Sequence, residues 1–195
     1  MRKILLAVLF ALSSSAYSQG TPRFLAIPAG QQIVLKAETQ DVPLGPLFVP
    51  FTKGWSFYSQ GRVFAGRAPD EQLRFEATFA YEAKAMTARV EQDKFTAFNR
   101  QQLPGFQSEF VAAFGKADQP CFDSPQPDGR FRFICTATRQ RDGRNEHLIA
   151  YAYVGKWAIL FLNFYGEGDS AAGFKRAEDI LANARWDDIM EFKQK

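Results

Sequence analysis

The chain has one histidine, His147, only two cysteines and no large excess of either charge, and each shortage removes a class of function. A Ser-His-Asp or Cys-His catalytic system would have to use His147, since no other imidazole exists to act as the base. There is no G-x-S-x-G elbow, no P-loop and no dinucleotide fingerprint, and Gly166-x-Gly168 reads as a loop. Asp118, Asp123 and Asp128 share one segment but lack the D-x-D-x-D-G spacing of a calcium loop. The cysteines are not arranged as C-x-x-C, and a single histidine cannot complete a zinc set with them. The expectation is therefore a non-catalytic protein with no catalytic residues, no cofactor and no metal. His147 reads as an ordinary sheet histidine. A hydrolase whose carboxylates meet only on folding is kept as a third reading.

Long hydrophobic runs are lacking too. No stretch approaches the ~20 apolar residues of a membrane span. The apolar run Ile4 to Leu12 is too short, follows the basic Arg2 and Lys3, and precedes the small residues Ser13 to Ser18. This pattern predicts a secretory signal peptide over 1–18, cut after Ser18 or after Ala16, with no cysteine near the cut to carry a lipid anchor. Its loss leaves 22 basic against 21 acidic residues, which exerts no global pull on nucleic acid or anionic lipid. The remaining 19–195 suffice for one domain with a real core. In a periplasmic or secreted protein, Cys121 and Cys135 are expected to form a disulfide. Closing that loop is worth roughly 3 kcal/mol in the chain-entropy model.

The stretch from Gly129 to Tyr165 organises the rest. From Gly129 to Arg141, Phe131, Phe133, Cys135 and Ala137 alternate with Arg132, Thr136 and Thr138, the period of a half-buried strand. Asp142-Gly143 is a type I′ hairpin signal. It sets Arg141 opposite Arg144, Arg139 opposite Glu146, Ala137 opposite Leu148, Cys135 opposite Ala150, Phe133 opposite Ala152 and Phe131 opposite Val154. Gly155-Lys156 reads as a second two-residue turn, and Trp157 to Tyr165 returns apolar on both faces, so each face of the sheet needs a cover.

Upstream, 19–52 reads as an irregular segment packed on the domain, with a short strand at Ile33 to Ala37. Pro43, Pro46 and Pro50 make Asp41 to Thr52 a loop. It lies over the core or presents Phe48 and Phe51 as a binding patch. Trp55 to Tyr58 and Val63 to Ala65 form a hairpin turning near Gln60-Gly61, and Leu73 to Tyr81 a long strand with one wet face. Ala83 to Gln102 predicts an amphipathic helix with Met86, Val90, Ala97 and Phe98 inward, ended by Pro104-Gly105. Phe106 to Ala117 fits strand or helix, and Asp118 to Gly129, with three prolines, is a loop. Asp169 or Ser170 caps a final helix whose inner face is Phe174, Ala177, Leu181 and Ala184, with Lys175, Arg176, Glu178 and Asp179 outward.

The order is α+β: an antiparallel sheet with a C-terminal three-strand meander, covered by helices. Thr52-Lys53-Gly54-Trp55-Ser56, the helix after the long strand, the apolar Trp157 to Tyr165 strand and the closing Ile180-Leu181-Ala182-Asn183-Ala184-Arg185-Trp186 together resemble the PsbP-like fold, including the DcrB-like envelope proteins of bacteria. The resemblance covers Val49 to Trp186. It implies an α/β/α sandwich serving as a non-catalytic binding or assembly module, with no active site to carry over.

Two functional expectations follow. One is an exported protein that recognises a protein partner in the cell envelope, or a toxin, through Arg130, Arg132, Arg139, Arg141 and Arg144 with Tyr151 and Tyr153, or through Phe48 and Phe51. The other is a carrier holding a small apolar ligand in a pocket lined by some of the 20 phenylalanines. Nucleic acid is not expected as a partner.

Overall fold

The computed structural model describes residues 23–28, 30–60, 63–86, 88–126 and 130–186; the expected signal peptide lies outside them. In chain order the strands and helices are β1 (Arg23–Phe24), β2 (Gln32–Val34), β3 (Thr39–Gly45), β4 (Leu47–Thr52), β5 (Ser56–Gln60), β6 (Val63–Arg67), β7 (Leu73–Tyr81), α1 (Arg89–Gln101), α2 (Leu103–Phe114), β8 (Phe122–Pro125), β9 (Phe131–Arg141), β10 (Arg144–Val154), β11 (Ala158–Glu167), α3 (Ser170–Leu181) and β12 (Arg185–Trp186). The described residues form an α+β protein, mostly antiparallel sheet.

The large sheet runs β2-β5-β6-β7-β11-β10-β9-β8. Its β9–β10 ladder has the register that Asp142-Gly143 predicts, from Arg141 opposite Arg144 to Phe131 opposite Val154. Both turn residues have positive φ, 52° and 78°. The next connection differs from expectation. Gly155 N–H donates to the Ala158 carbonyl at 2.9 Å, Val154 pairs with Ile159, and Trp157 leaves the ladder to be buried beside Ala85 and Ala158. A large ring that gains a buried site lengthens a turn that glycine alone would keep tight. The β5–β6 hairpin closes at Gln60 opposite Val63, and its tip lies outside the described residues.

Both faces of the central strands are covered. On one, Phe57, Phe64, Phe75, Ile149, Leu160, Leu162 and Phe164 join Val42, Leu44, Val49 and Phe51 from a second sheet, β1-β3-β4-β12, and Ala177 and Leu181 from α3. Each such fully buried phenylalanine contributes about 1.5–3 kcal/mol. On the other face Phe133, Cys135, Ala137, Leu148, Ala150, Ala152 and Ile159 meet Phe95 of α1 and Leu103, Phe106 and Phe110 of α2.

The second sheet corrects the reading of 19–52 as irregular and of Asp41 to Thr52 as a loop. Leu44 pairs with Leu47 across Gly45-Pro46, and Gly45 at φ 64° starts a turn of the II′ kind. Counted from that closing pair, Pro43 and Pro50 fall at alternate positions whose amide side points away from the hairpin. The outer neighbours β1 and β12 end before reaching them, so no ladder bond is lost.

Three further expectations are corrected. α1 begins at Arg89 and turns Phe95 and Asn99 inward, whereas Val90 is 65% and Phe98 48% exposed and Ala97 also faces outward. Pro104 sits in the first turn of α2, where its missing N–H costs nothing. Since α2 supplies Phe106 and Phe110 as the main cover, α1 needs only one ring inward. Within Asp118 to Gly129, β8 pairs with β9 from Phe122 opposite Ile134 to Pro125 opposite Phe131; an edge strand with one neighbour tolerates the proline. Lastly, Glu178 turns toward the sheet, for the reason given below.

Candidate functional site

Alternation along β9 and β10 divides the expected arginine surface between two faces. Arg139, Arg141 and Arg144 lie at the hairpin tip on the α1/α2 side. Arg139 donates from Nε and Nη2 to Glu146 Oε2 at 2.9 and 2.7 Å and lies 4.0 Å over the Phe114 ring. Arg141 approaches the same carboxylate at 3.8 Å, and Arg144 donates to Glu167 at 2.8 Å. This is a solvated and internally balanced face. Arg130 lies on the other side, 5.1 Å over Trp186. Phe48 is half-buried with Arg185 stacked 4.6 Å above it. Tyr151, Tyr153 and Phe51 are 0%, 6% and 1% exposed. The expectation that these three rings form a contact surface is corrected, because their strands turn them into the core beneath α3 and between the sheets.

Arg132 is the centre of a polar network under α3. Its Nη1 and Nη2 donate to Glu178 Oε1 and Oε2 at 2.9 and 3.1 Å, and Nη2 also reaches Ser124 Oγ at 3.2 Å. Tyr151 OH donates to Glu178 Oε1 at 2.9 Å. Paired and hydrogen-bonded, the Glu178 carboxylate can point inward although sequence periodicity places it outward. Burial pushes the Tyr153 hydroxyl up to about 12, against the pull of nearby Arg132. Burial also raises Tyr151, reinforced by Glu178.

His147 projects from β10 to the same side but finds no such partners. It is 4% exposed, and neither ring nitrogen makes a hydrogen bond. A Cβ on Gly166 of β11 would stand 2.6 Å from the ring, and one on Gly173 of α3 would overlap it. Burial lowers the imidazole pKa below its ordinary 6.5; the backbone at Gly168 and Glu167 and the Asp169 carboxylate oppose this, while Arg176 adds to it.

The Cys121–Cys135 disulfide is present. It continues the β8–β9 register by one position, tying the edge strand to the sheet interior. Such a bond is consistent with an oxidising, exported location. No helix among the described residues is long and apolar enough to cross a membrane, and no group of metal-binding side chains is found among them.

Sequence reasoning missed one surface. α1 and α2 lie over β9, β10 and part of β11, leaving the β2-β5-β6-β7 half of that sheet face without a helix. There Val34 is 50% and Tyr58 37% exposed, flanked by the exposed Arg67 and Arg74. A shallow pocket of about 340 Å³ at its edge is lined by Gly30, Gln31, Gln32, Tyr58 and Ser59. The hairpin of β5 and β6 was legible; that the helices would cover only half the sheet was not.

No family model and no curated protein matches the sequence. Among solved structures, the chain is similar to a protein of Bacteroides thetaiotaomicron VPI-5482, with a TM-score of 0.50 at 13% identity, over 78% of this chain and 49% of that one. The likeness is one of fold. This chain spans about half the length of that protein.

Proposed function

We propose that the protein is an exported, non-catalytic binding or assembly module that recognises another protein of the envelope, or a toxin. The observation that supports this best is the half-sheet without a helix, where Val34 and Tyr58 stand exposed among arginines. An aromatic and an aliphatic side chain ringed by charged groups match the composition of protein interfaces. The resemblance to the PsbP-like and DcrB-like proteins, with its α/β/α sandwich, belongs to the same reading and draws support from the element order and from the closing Trp186 packed against the core.

The carrier reading draws less support. Phe51, Phe57, Phe64, Phe75 and Phe164 lie ring against ring at centroid separations of 5.1–6.2 Å, so they fill the space that a ligand of ordinary size, roughly 300 Å³ or more, would need.

The test is affinity capture with the oxidised, signal-free protein in an envelope extract of its own organism, read by mass spectrometry. One stoichiometric protein should be retained by the wild type and by R141E/R144E but lost from V34D/Y58D. Retention by the wild type and by both variants would exclude the half-sheet as the contact. Recovery of the bait alone, with a small molecule retained in native mass spectrometry, would replace this reading with the carrier.

A further inference from the structure

His147 is the only histidine in the chain, and its imidazole is held in a slot built for it by two elements. Gly166 forms the β11 wall and Gly173 the α3 wall, each backbone so close that a side chain would collide with the ring. Glycine inside a helix costs about 1 kcal/mol relative to alanine, so Gly173 destabilises α3 locally in order to seat the ring. The ring returns no hydrogen bond for this. We propose that His147 is an acid-operated latch on α3: taking up a proton, the ring forces the first turns of the helix off the sheet.

The slot suits a neutral ring and not a cation. The facing residue of β9 is the neutral Thr138, whose hydroxyl is already bound to Asp118 at 3.0 Å and to the Ser170 N–H at 3.1 Å. From the β11–α3 connection, Asp169 contributes a carboxylate, but its Oδ1 is taken by the Ala172 N–H at 2.9 Å. From α3, Arg176 opposes a second positive charge, and it is anchored to Asp70 at 2.6 Å. Glu146, next along β10, points to the opposite face and is held by Arg139. The backbone at Gly168 and Glu167 and the Asp169 carboxylate favour a proton on the ring, but burial outweighs them. Neither ring nitrogen is hydrogen-bonded in the slot, so a protonated His147 would place two charged donors in an enclosed site and must be hydrated. Hydration requires Gly173 to move away. The far end of the helix stays fastened through Glu178 to Arg132 and Tyr151, so opening is confined to the N-terminal turns. The inner side of Phe174 is uncovered by that movement. The latch follows from this geometry whatever partner the protein binds.

The test is amide hydrogen exchange on the full chain without a histidine tag at pH 7.5 and pH 5.0, corrected for intrinsic rates, in the wild type and in His147→Phe and His147→Gln. In the wild type, protection of the α3 amides should fall by about fivefold or more at the lower pH, while the β9 and β10 amides keep theirs. Both variants should show no pH difference at α3. Equal α3 protection at the two pH values in the wild type would overturn the latch, and so would the same drop in a folded variant that has no imidazole. If neither variant folds, the contrast between α3 and the strands in the wild type still decides.

Discussion

Helix α3 meets the large sheet through the half-buried Glu178 and the buried His147, and the two ends of the contact are built on opposite principles. Toward the C-terminal end, both oxygens of Glu178 are taken, one by Arg132 and Tyr151 together and the other by Arg132. Toward the N-terminal end, His147 is enclosed by glycine backbone and bound to nothing. The first arrangement anchors, because desolvation of each charge is offset by a partner. The second makes attachment conditional, because it is sound only while the ring is neutral. One interface thus holds a fixed end and a releasable end.

The largest change should come from breaking the fixed end. Glu178→Ala leaves the Arg132 guanidinium and the Tyr151 hydroxyl without their acceptor and is expected to cost about 2–3 kcal/mol in denaturant unfolding. Next, Gly173→Ala should reverse the usual sign for a helix. The substitution ordinarily gains up to ~1 kcal/mol, but here the new methyl overlaps the His147 ring and a loss of about 1–2 kcal/mol is expected. On a His147→Ala background the same change should stabilise, and a double-mutant cycle measures the difference.

The pH profile separates the two ends more gently. The folded-state pKa of His147 lies below the ordinary 6.5, so the unfolded chain binds more protons in that range. Stability is complete well above pH 6.5, falls as pH drops through it, and levels off below the folded-state value. His147→Phe should flatten this acid limb. At the other extreme, Tyr153 is raised to about 12, so stability is lost progressively as pH rises from about 10 toward that value. The smallest effect belongs to a control away from α3. Arg144→Ala removes an ion pair whose side chains are 74% and 62% exposed and should change stability by no more than about 0.5 kcal/mol.

What was legible in the sequence was whatever short-range chemistry decides. The Asp142-Gly143 turn sets eleven cross-strand pairs, β7 has the bounds its alternation marks, and Asp169 caps α3 by accepting from Ala172 N. Hidden features depended on distant chain. Pro43 and Pro50 argue against strands only where a neighbour needs their N–H, and the neighbours here are two-residue strands from opposite ends of the described chain. Glu178 turns inward because of Arg132, 46 residues away. His147 could be placed opposite Thr138, but its enclosure required knowing that Gly166 and Gly173 converge on it. The composition of the candidate half-sheet was readable as well; its exposure depends on where α1 and α2 come to rest.

The most direct measurement is an NMR titration of the imidazole in the full, untagged chain, where a single histidine makes the signal unambiguous. The latch predicts a pKa below 6.5, with α3 signals shifting or broadening over the same pH interval while those of β9 and β10 stay in place. A pKa at or above 6.5, or a depressed pKa with α3 unchanged through the transition, would contradict it.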